Sequence, residues 1–292
     1  MSLQPVLING EWRVSDAVGE FEAINPSTKT ALPETYPVSS ATEVEEAIRA
    51  GYAAAVALRA MSPEQIARFL EVYADAIEAR ADALVELAYA ETALPKSPRL
   101  RDVELPRTTD QLRQAAAVAR ERSWCLATID TKRNIRSMYG ALGGPVVVFG
   151  PNNFPFAFNS VAGGDFVAAI AAGNPGIAKA NTGHPGTTKL LDDAKAHAAA
   201  TVHRHAGGFV DHHQVLVFEK HRELARGHRR LGFLAGRRRD AHRRQAHQVA
   251  LGQALDQAAQ RLLAAGQDQQ HLPVALLAEG QQGTAPGRNL SH

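Results

Sequence analysis

The amino-acid sequence predicts an α/β fold in which helices cover both faces of a parallel sheet. The prediction depends on residues 144–200, where two short apolar runs alternate with two helical patterns. The β-branched run Val146–Phe149 lies between two Gly-Pro pairs, as is typical of a strand buried on both faces. Helical spacing over 160–172, a second apolar run at 176–180 and a second helical pattern over 185–200 follow. This β-α-β-α order leaves crossovers long enough for the two strands to be parallel.

The first 125 residues predict a β-hairpin followed by a layer of helices. An Asn9-Gly10 pair between two short apolar runs is a strong hairpin signal. The capping boxes Thr42-x-x-Glu45 and Ser62-x-x-Gln65 predict helices that begin near residues 43 and 63. Two more helices are predicted, at 81–92 and 107–121. Together these helices are expected to cover one face of the sheet.

The composition of the chain changes near residue 200. Residues 1–200 hold 19 Lys and Arg against 23 Asp and Glu, whereas residues 201–292 hold 13 against 7. The second segment also holds ten of the twelve histidines, and it has no Ile, Tyr or Trp. A globular domain rarely omits these residue types over such a length. Residues 201–292 are therefore predicted to be an atypical tail rich in Arg, His and Gln.

Several classes of protein are excluded by the sequence. The single cysteine, Cys125, excludes a disulfide framework and fits a cytoplasmic protein. No membrane association is expected, because residues 1–10 lack the pattern of a signal peptide and the apolar window 155–173 is interrupted by Asn159 and Asp165. No metal site is predicted, since the histidines of the tail lack a metal-binding spacing.

Three motifs resemble the aldehyde dehydrogenase superfamily. FGPNNFP at 149–155, AIAAGNP at 169–175 and IAKANTGHPGT at 177–187 follow its order of strand, N-F-P turn, helix, A-A-G-N, strand and lysine. Residues 136–165 are similar to the branch of 2-oxoglutarate semialdehyde (2,5-dioxovalerate) and fatty-aldehyde dehydrogenases. The resemblance implies an aldehyde-dehydrogenase-like Rossmann-type sheet, incomplete because the catalytic domain is missing. It also implies NAD(P)-dependent oxidation of a small-molecule aldehyde or semialdehyde to the carboxylate.

Asn153 matches the asparagine of the family's turn. In this family a cysteine thiolate attacks the aldehyde, a hydride passes to NAD(P)+, and water cleaves the resulting thioester. The carbonyl oxygen becomes an oxyanion during the attack, and a neutral NH2 group can donate to it without protonating it. The resemblance therefore implies a catalytic role for Asn153. In the alternative interpretation, Asn152 and Asn153 only form a turn.

The resemblance implies that NADP (or NAD) binds at the carboxyl ends of the two strands. The implied cofactor-binding residues are Phe149, Gly150, Pro151, Asn152, Lys179, Ala180, Asn181 and Thr182. The family's lysine bonds the adenosine ribose or its phosphate, whereas a lone Lys179 would otherwise be a solvated charge. Thr182 stands where many NAD-preferring relatives carry a glutamate that would repel a 2′-phosphate, so NADP is favoured. His184 either assists or is a loop residue.

The family's remaining catalytic groups have no match in the sequence. Cys125 lies upstream of the first strand, whereas the family's nucleophile lies far downstream of it, so Cys125 is interpreted as a buried structural thiol. The motif that carries the general-base glutamate is also missing. The chain is therefore predicted to be a truncated or frameshifted copy without activity of its own.

Four segments are predicted. They are a hairpin and helical layer of the cofactor domain (1–125), an edge strand of an arm that the family uses for homo-oligomerisation (126–143), the nucleotide-binding core (144–200) and the tail (201–292). The tail's net charge of +6 suggests an alternative, a nucleic-acid-binding protein. Nucleic acid is nevertheless not an expected partner, because the tail has three aromatic residues and no recognised nucleic-acid-binding fold.

We hypothesise that a shift of reading frame near residue 200 explains the change in composition. We expect translation of the same DNA in one of the two other frames to restore the family's motifs beyond that point, namely F-T-G-S, E-L-G-G or E-L-S-S, and G-Q-x-C. Their absence from both frames would rule the frameshift out.

Overall fold

The structure is a computed structural model that describes residues 3–206 and 214–218. Two hairpins open the chain, β1 (Val6–Ile8) with β2 (Glu11–Arg13) and β3 (Ala17–Ile24) with β4 (Ala31–Ser39). The helical region holds α1 (Ala41–Ala60), α2 (Pro63–Glu78), α3 (Ala81–Thr92), a π-helical segment (Lys96–Glu104), α4 (Leu105–Glu121) and a 3-10 turn (Ser123–Cys125). The remaining elements are β5 (Thr128–Asp130), β6 (Ile135–Ser137), β7 (Val146–Phe149), α5 (Gly164–Ala171), β8 (Gly176–Ala180), α6 (Pro185–Ala206) and β9 (Gln214–Phe218).

Five strands form the main sheet, in the order β2-β1-β9-β8-β7. Strand β8 pairs in parallel with both β7 and β9, so the predicted parallel pairing is confirmed. The prediction that Val146–Phe149 is buried on both faces is wrong, since Val147 is 46% and Phe149 62% exposed. The reason is that β7 lies at the edge of the described sheet, whereas β8 in its interior is buried throughout.

Helices lie on both faces of the sheet, as predicted. A Cβ at Gly176 of β8 would lie 2.6 Å from the ring of Phe166 in α5. The next residue, Ile177, points to the opposite face and reaches Gly51 of α1. The four helices from α1 to α4 therefore do not form one layer over one face. Helix α1 covers the face opposite α5, while α2 packs against α4 and α6.

The starts of the helices follow the predicted capping signals in part. Ser62 and Gln65 form the predicted reciprocal box at the start of α2. The box predicted at Thr42 and Glu45 is wrong, because the Oγ of Ser40 accepts the N–H of Glu43 at 3.1 Å and starts α1 two residues earlier. The helix predicted from residue 160 begins only at Gly164, after a turn in which the Asn159 side chain accepts the N–H of Val161.

Residues 126–143 contain a hairpin rather than the single edge strand predicted for this segment. Strands β5 and β6 pair with each other in a separate two-stranded sheet. The chain reverses because the Asp130 carboxylate accepts the N–H groups of Lys132 and Arg133, and because Asn134 adopts a positive φ of 53°.

The limits of the four predicted segments stay predictions. Helix α6 continues past residue 200 to Ala206, and β9 lies within the tail and joins the main sheet. The remainder of the tail, residues 207–213 and 219–292, lies outside the described residues. Among the helices that are described, none combines the length and the apolar character needed to cross a bilayer.

A buried carboxyl group holds the start of α6. Glu91 accepts the N–H of Gly186 at 2.8 Å, the N–H of Thr187 at 2.8 Å and the hydroxyl of Thr187 at 2.7 Å. Burial raises the pKa of Glu91 to about 7, although the bonds from Thr187 and Gly186 oppose this rise. The folded state therefore favours the protonated carboxyl.

The raised pKa of Glu91 predicts a loss of stability as the pH rises from 5 to 8. The stabilisation that comes from the protonated Glu91 carboxyl is complete below the pKa of the unfolded state, 4.5. It is lost as the pH rises through the folded-state pKa of about 7, and this shift corresponds to a loss of about 3 kcal/mol in the free energy of unfolding. E91Q removes this titration and serves as the control. Thermal unfolding of both full-length chains should show wild type losing stability relative to E91Q as the pH rises. A constant difference between them would contradict the prediction.

Candidate functional site

The carboxyl ends of β7 and β8 lie together at one end of the sheet, the carboxyl edge. The two turns that follow these strands lie there side by side. The register sets Phe149 opposite Lys179. The structure thus brings together the two groups of predicted site residues, Phe149–Asn153 and Lys179–Thr182. In open α/β sheets, ligands bind outside the carboxyl ends of the strands.

Two hydrogen bonds join the turns. The Nδ2 of Asn181 donates to the carbonyl of Gly150 at 2.8 Å, and the Nε2 of His184 lies 2.8 Å from the carbonyl of Pro151. Because a carbonyl only accepts, Nε2 carries a proton. Burial lowers the pKa of His184, which favours the neutral imidazole. The His184 side chain is fully buried and links the two turns from its position just before α6.

Lys179 and Thr182 differ in exposure. Lys179 is 7% exposed and lies between the buried residues Ala178 and Ala180, which does not fit the alternative of a solvated charge. Thr182 is half-buried in the turn, between Asn181 and Gly183. The Oδ1 of Asn181 accepts the N–H of Gly183 at 2.9 Å, so both ends of the Asn181 amide help to shape this turn.

The turn after β7 exposes Asn153. The side chains of Pro151, Asn152 and Asn153 are all exposed. The main-chain carbonyl of Asn153 accepts Nη2 of Arg99 at 3.0 Å, but its side-chain amide has no hydrogen-bond partner among the described residues. An exposed, neutral NH2 group of this kind can donate a hydrogen bond to an oxygen atom that develops negative charge.

Sequence reasoning missed Glu104, which contacts the same turn. Glu104 is 1% exposed, and its Oε1 accepts the N–H of Phe156 at 2.8 Å and that of Ala157 at 3.1 Å. Its other oxygen pairs with Arg99. Phe156 and Ala157 lie more than fifty residues away from Glu104 in the sequence, and no local pattern marks such a contact.

Cys125 lies at the opposite end of the sheet, near the amino ends of β7 and β8. It is buried, as predicted for a structural thiol. Cys125 lines a pocket of about 170 Å³ together with residues 139–141, which precede β7, and residues 171–173, which precede β8. The pocket is therefore at the amino ends of these strands, away from Asn153. Within residues 3–206 and 214–218, no group of three or more His, Cys, Asp or Glu side chains could hold a metal ion.

Comparisons with known proteins agree with this architecture. The model of the aldehyde dehydrogenase family matches residues 12–205. Alpha-ketoglutaric semialdehyde dehydrogenase 2 of Azospirillum brasilense is 39% identical over 219 residues, which are 72% of this chain and 41% of that protein. The alpha-ketoglutaric semialdehyde dehydrogenase of Acinetobacter baylyi is 40% identical over 197 residues, 64% of this chain and 36% of that protein. The chain thus spans about two fifths of these relatives.

Solved structures show the same fold. Aldehyde dehydrogenase C of Pseudomonas syringae, solved with NAD+ and octanal, superposes with a TM-score of 0.63 at 20% identity over 74% of this chain and 41% of that one. The NADP-dependent glyceraldehyde-3-phosphate dehydrogenase of Bacillus halodurans, solved with NADP, gives a TM-score of 0.60 at 23% identity over 75% and 44%. The predicted aldehyde-dehydrogenase-like fold and the resemblance to the 2-oxoglutarate semialdehyde branch are confirmed. The chain belongs to the aldehyde dehydrogenase family.

Proposed function

We propose that this chain binds NADP (or NAD) at the carboxyl edge of β7 and β8 and presents Asn153 to the carbonyl group of a semialdehyde. The observation that carries the proposal is the register of Phe149 with Lys179, which joins the two turns at one edge. The names of the two relatives, both alpha-ketoglutaric semialdehyde dehydrogenases, support the substrate class. The reaction is the oxidation of an aldehyde to the carboxylate.

The residues at this edge fit an anionic dinucleotide. Residues 149–154 and 180–187 contain no Asp or Glu, and Lys179 precedes the second turn. Phe149, Gly150, Pro151 and Asn152 supply the first turn, and Ala180, Asn181 and Thr182 the second. Neighbours solved with NAD+ and with NADP support the choice of cofactor. When bound, the cofactor supplies the hydride acceptor.

Asn153 serves as the oxyanion donor in this proposal. Its exposed NH2 group is neutral, so it stabilises a developing negative charge without transferring a proton. The one cysteine of the chain, Cys125, is buried at the opposite edge and does not supply the attacking thiolate. We therefore infer that this chain binds and orients, and that it does not oxidise aldehydes by itself.

Two broader inferences complete the proposal. The hairpin of β5 and β6 exposes Ile129 and Ile135, and we infer that it is a surface for self-association, as in the arm of the family. We also infer a cytoplasmic location, which fits a single unpaired cysteine.

The alternative function, nucleic-acid binding, depended on the basic tail and has no supporting observation among the described residues.

Removal of the Lys179 ammonium is expected to weaken cofactor binding. K179M keeps the length of a buried side chain but loses the cation, and we expect NADPH to bind on the order of tenfold more weakly. Fluorescence titration of the full-length chain measures the affinity. K132M removes an exposed lysine from the β5–β6 turn and should bind NADPH as wild type does. Equal affinity of K179M and K132M would contradict the role of Lys179.

The choice between NADP and NAD is expected to depend on residue 182. T182E adds a carboxylate that repels a 2′-phosphate, so NADPH affinity should fall on the order of tenfold while NADH affinity is retained. T182Q adds a side chain of nearly the same shape as that of T182E but without the charge, so it is the matched control. The proposal fails here if T182E and T182Q show the same ratio of NADPH to NADH affinity.

A further inference from the structure

We propose that Arg99 and Glu104 are positioning residues for Asn153. Their ion pair fixes the main chain from Asn153 to Ala157. The position of this main chain in turn determines where the Asn153 carboxamide lies. This inference rests on the proposed function only in giving Asn153 the role of oxyanion donor. Neither Arg99 nor Glu104 is expected to touch the substrate or the cofactor.

Glu104 is the buried half of the pair. Its carboxylate is 1% exposed and stands at the junction between the π-helical segment and α4. One oxygen accepts the N–H groups of Phe156 and Ala157, while the other pairs with Arg99. The carboxylate thus joins the end of the turn after β7 to the start of α4.

Arg99 extends this connection to Asn153. Its Nη1 pairs with Glu104, and its Nη2 donates to the carbonyl of Asn153 at 3.0 Å. The guanidinium also covers the ring of Phe154, with 4.5 Å between Cζ and the ring centroid. The planar fork of an arginine can make both bonds at once, which a lysine ammonium on a single stem does less well. One arginine therefore contacts two consecutive residues of the turn.

The pair acts on a turn whose other end is already held. Asn181 and His184 bind the carbonyls of Gly150 and Pro151 at the start of the turn. Glu104 and Arg99 bind the residues that follow. Loss of Arg99 would leave a buried carboxylate without its cation, and loss of Glu104 would leave two amide groups without acceptors. Either change is expected to release Asn153 while β7 stays paired.

Neighbouring ion pairs in the same segment have a different role. Arg101 pairs with Asp82, and Lys96 pairs with Glu86, so both connect the π-helical segment to α3. Their side chains are largely exposed, and exposed pairs contribute little to stability. Arg101 is two residues from Arg99 and, within the part of the chain that the structure describes, forms no hydrogen bond or ion pair with the turn, which makes it a matched control.

The test measures amide hydrogen exchange and side-chain dynamics in full-length variants without cofactor. R99M is expected to raise about tenfold the exchange rate of the Phe156 and Ala157 amides, which donate to Glu104. It should also increase the mobility of the Asn153 side-chain amide, measured by ¹⁵N relaxation. That resonance is assigned by its loss in N153A. R101M should leave both measurements as in wild type. R99K should recover part of the protection, because its ammonium can reach Glu104 or the Asn153 carbonyl.

Two results would overturn the inference. One is equal exchange of the Phe156 and Ala157 amides in R99M and R101M. The other is a uniform rise of exchange along the chain of R99M and R99K, which would mean that Arg99 stabilises the whole fold rather than the turn. NADPH titration of wild type is run in parallel. Failure of wild type to bind NADPH would count against the proposed function, while the exchange data still decide the positioning role.

Discussion

The parallel register of β7 with β8 is the constraint on which the rest of the site depends. Gly176 allows Phe166 of α5 to pack against β8, since a Cβ there would lie 2.6 Å from the ring. A slip of one residue would turn every side chain of the strand to the other face and bring a larger residue against Phe166. The close packing thereby fixes which face of β8 meets α5, and the register of β8 with β7 sets Phe149 opposite Lys179.

Buried and half-buried polar side chains then fix the two turns that the register brings together. Asn181 and His184 hold the first turn from one side, and Glu104 holds it from the other. Each of these side chains is bonded to main-chain groups, which have few alternative positions. The exposed residues Asn152 and Asn153 are left free to meet a ligand. A rigid backbone with free side chains suits a site that must donate hydrogen bonds without reorganising.

Local patterns predicted most of the elements, whereas long-range contacts could not be predicted. The Ser62 box, the Asn9-Gly10 turn and the boundaries of α3 follow from residues close together in the sequence. Ser40 and Thr42 are both capable N-caps, and the Ser40 position prevails because its backbone is extended where α1 begins. The exposure of Val147 and the contact of Glu104 with Phe156 depend on distant partners. The motifs at 149–155 and 177–187 indicated where the site lies, but not what holds it.

The separation of the two sheet edges limits what this chain can do chemically. Cys125 lies beside the amino ends of the strands, and Asn153 follows their carboxyl ends. Strand β8 alone, five residues long, spans about 13 Å between these edges. Reacting atoms must approach to about 3 Å, so no side-chain rotation brings the Cys125 sulfur to a carbonyl held at Asn153. Cys125 is the one cysteine of the sequence, so the attacking thiolate of the family's reaction would have to come from outside this chain. The register of β7 and β8 in turn places the turn that carries the proposed donor, Asn153.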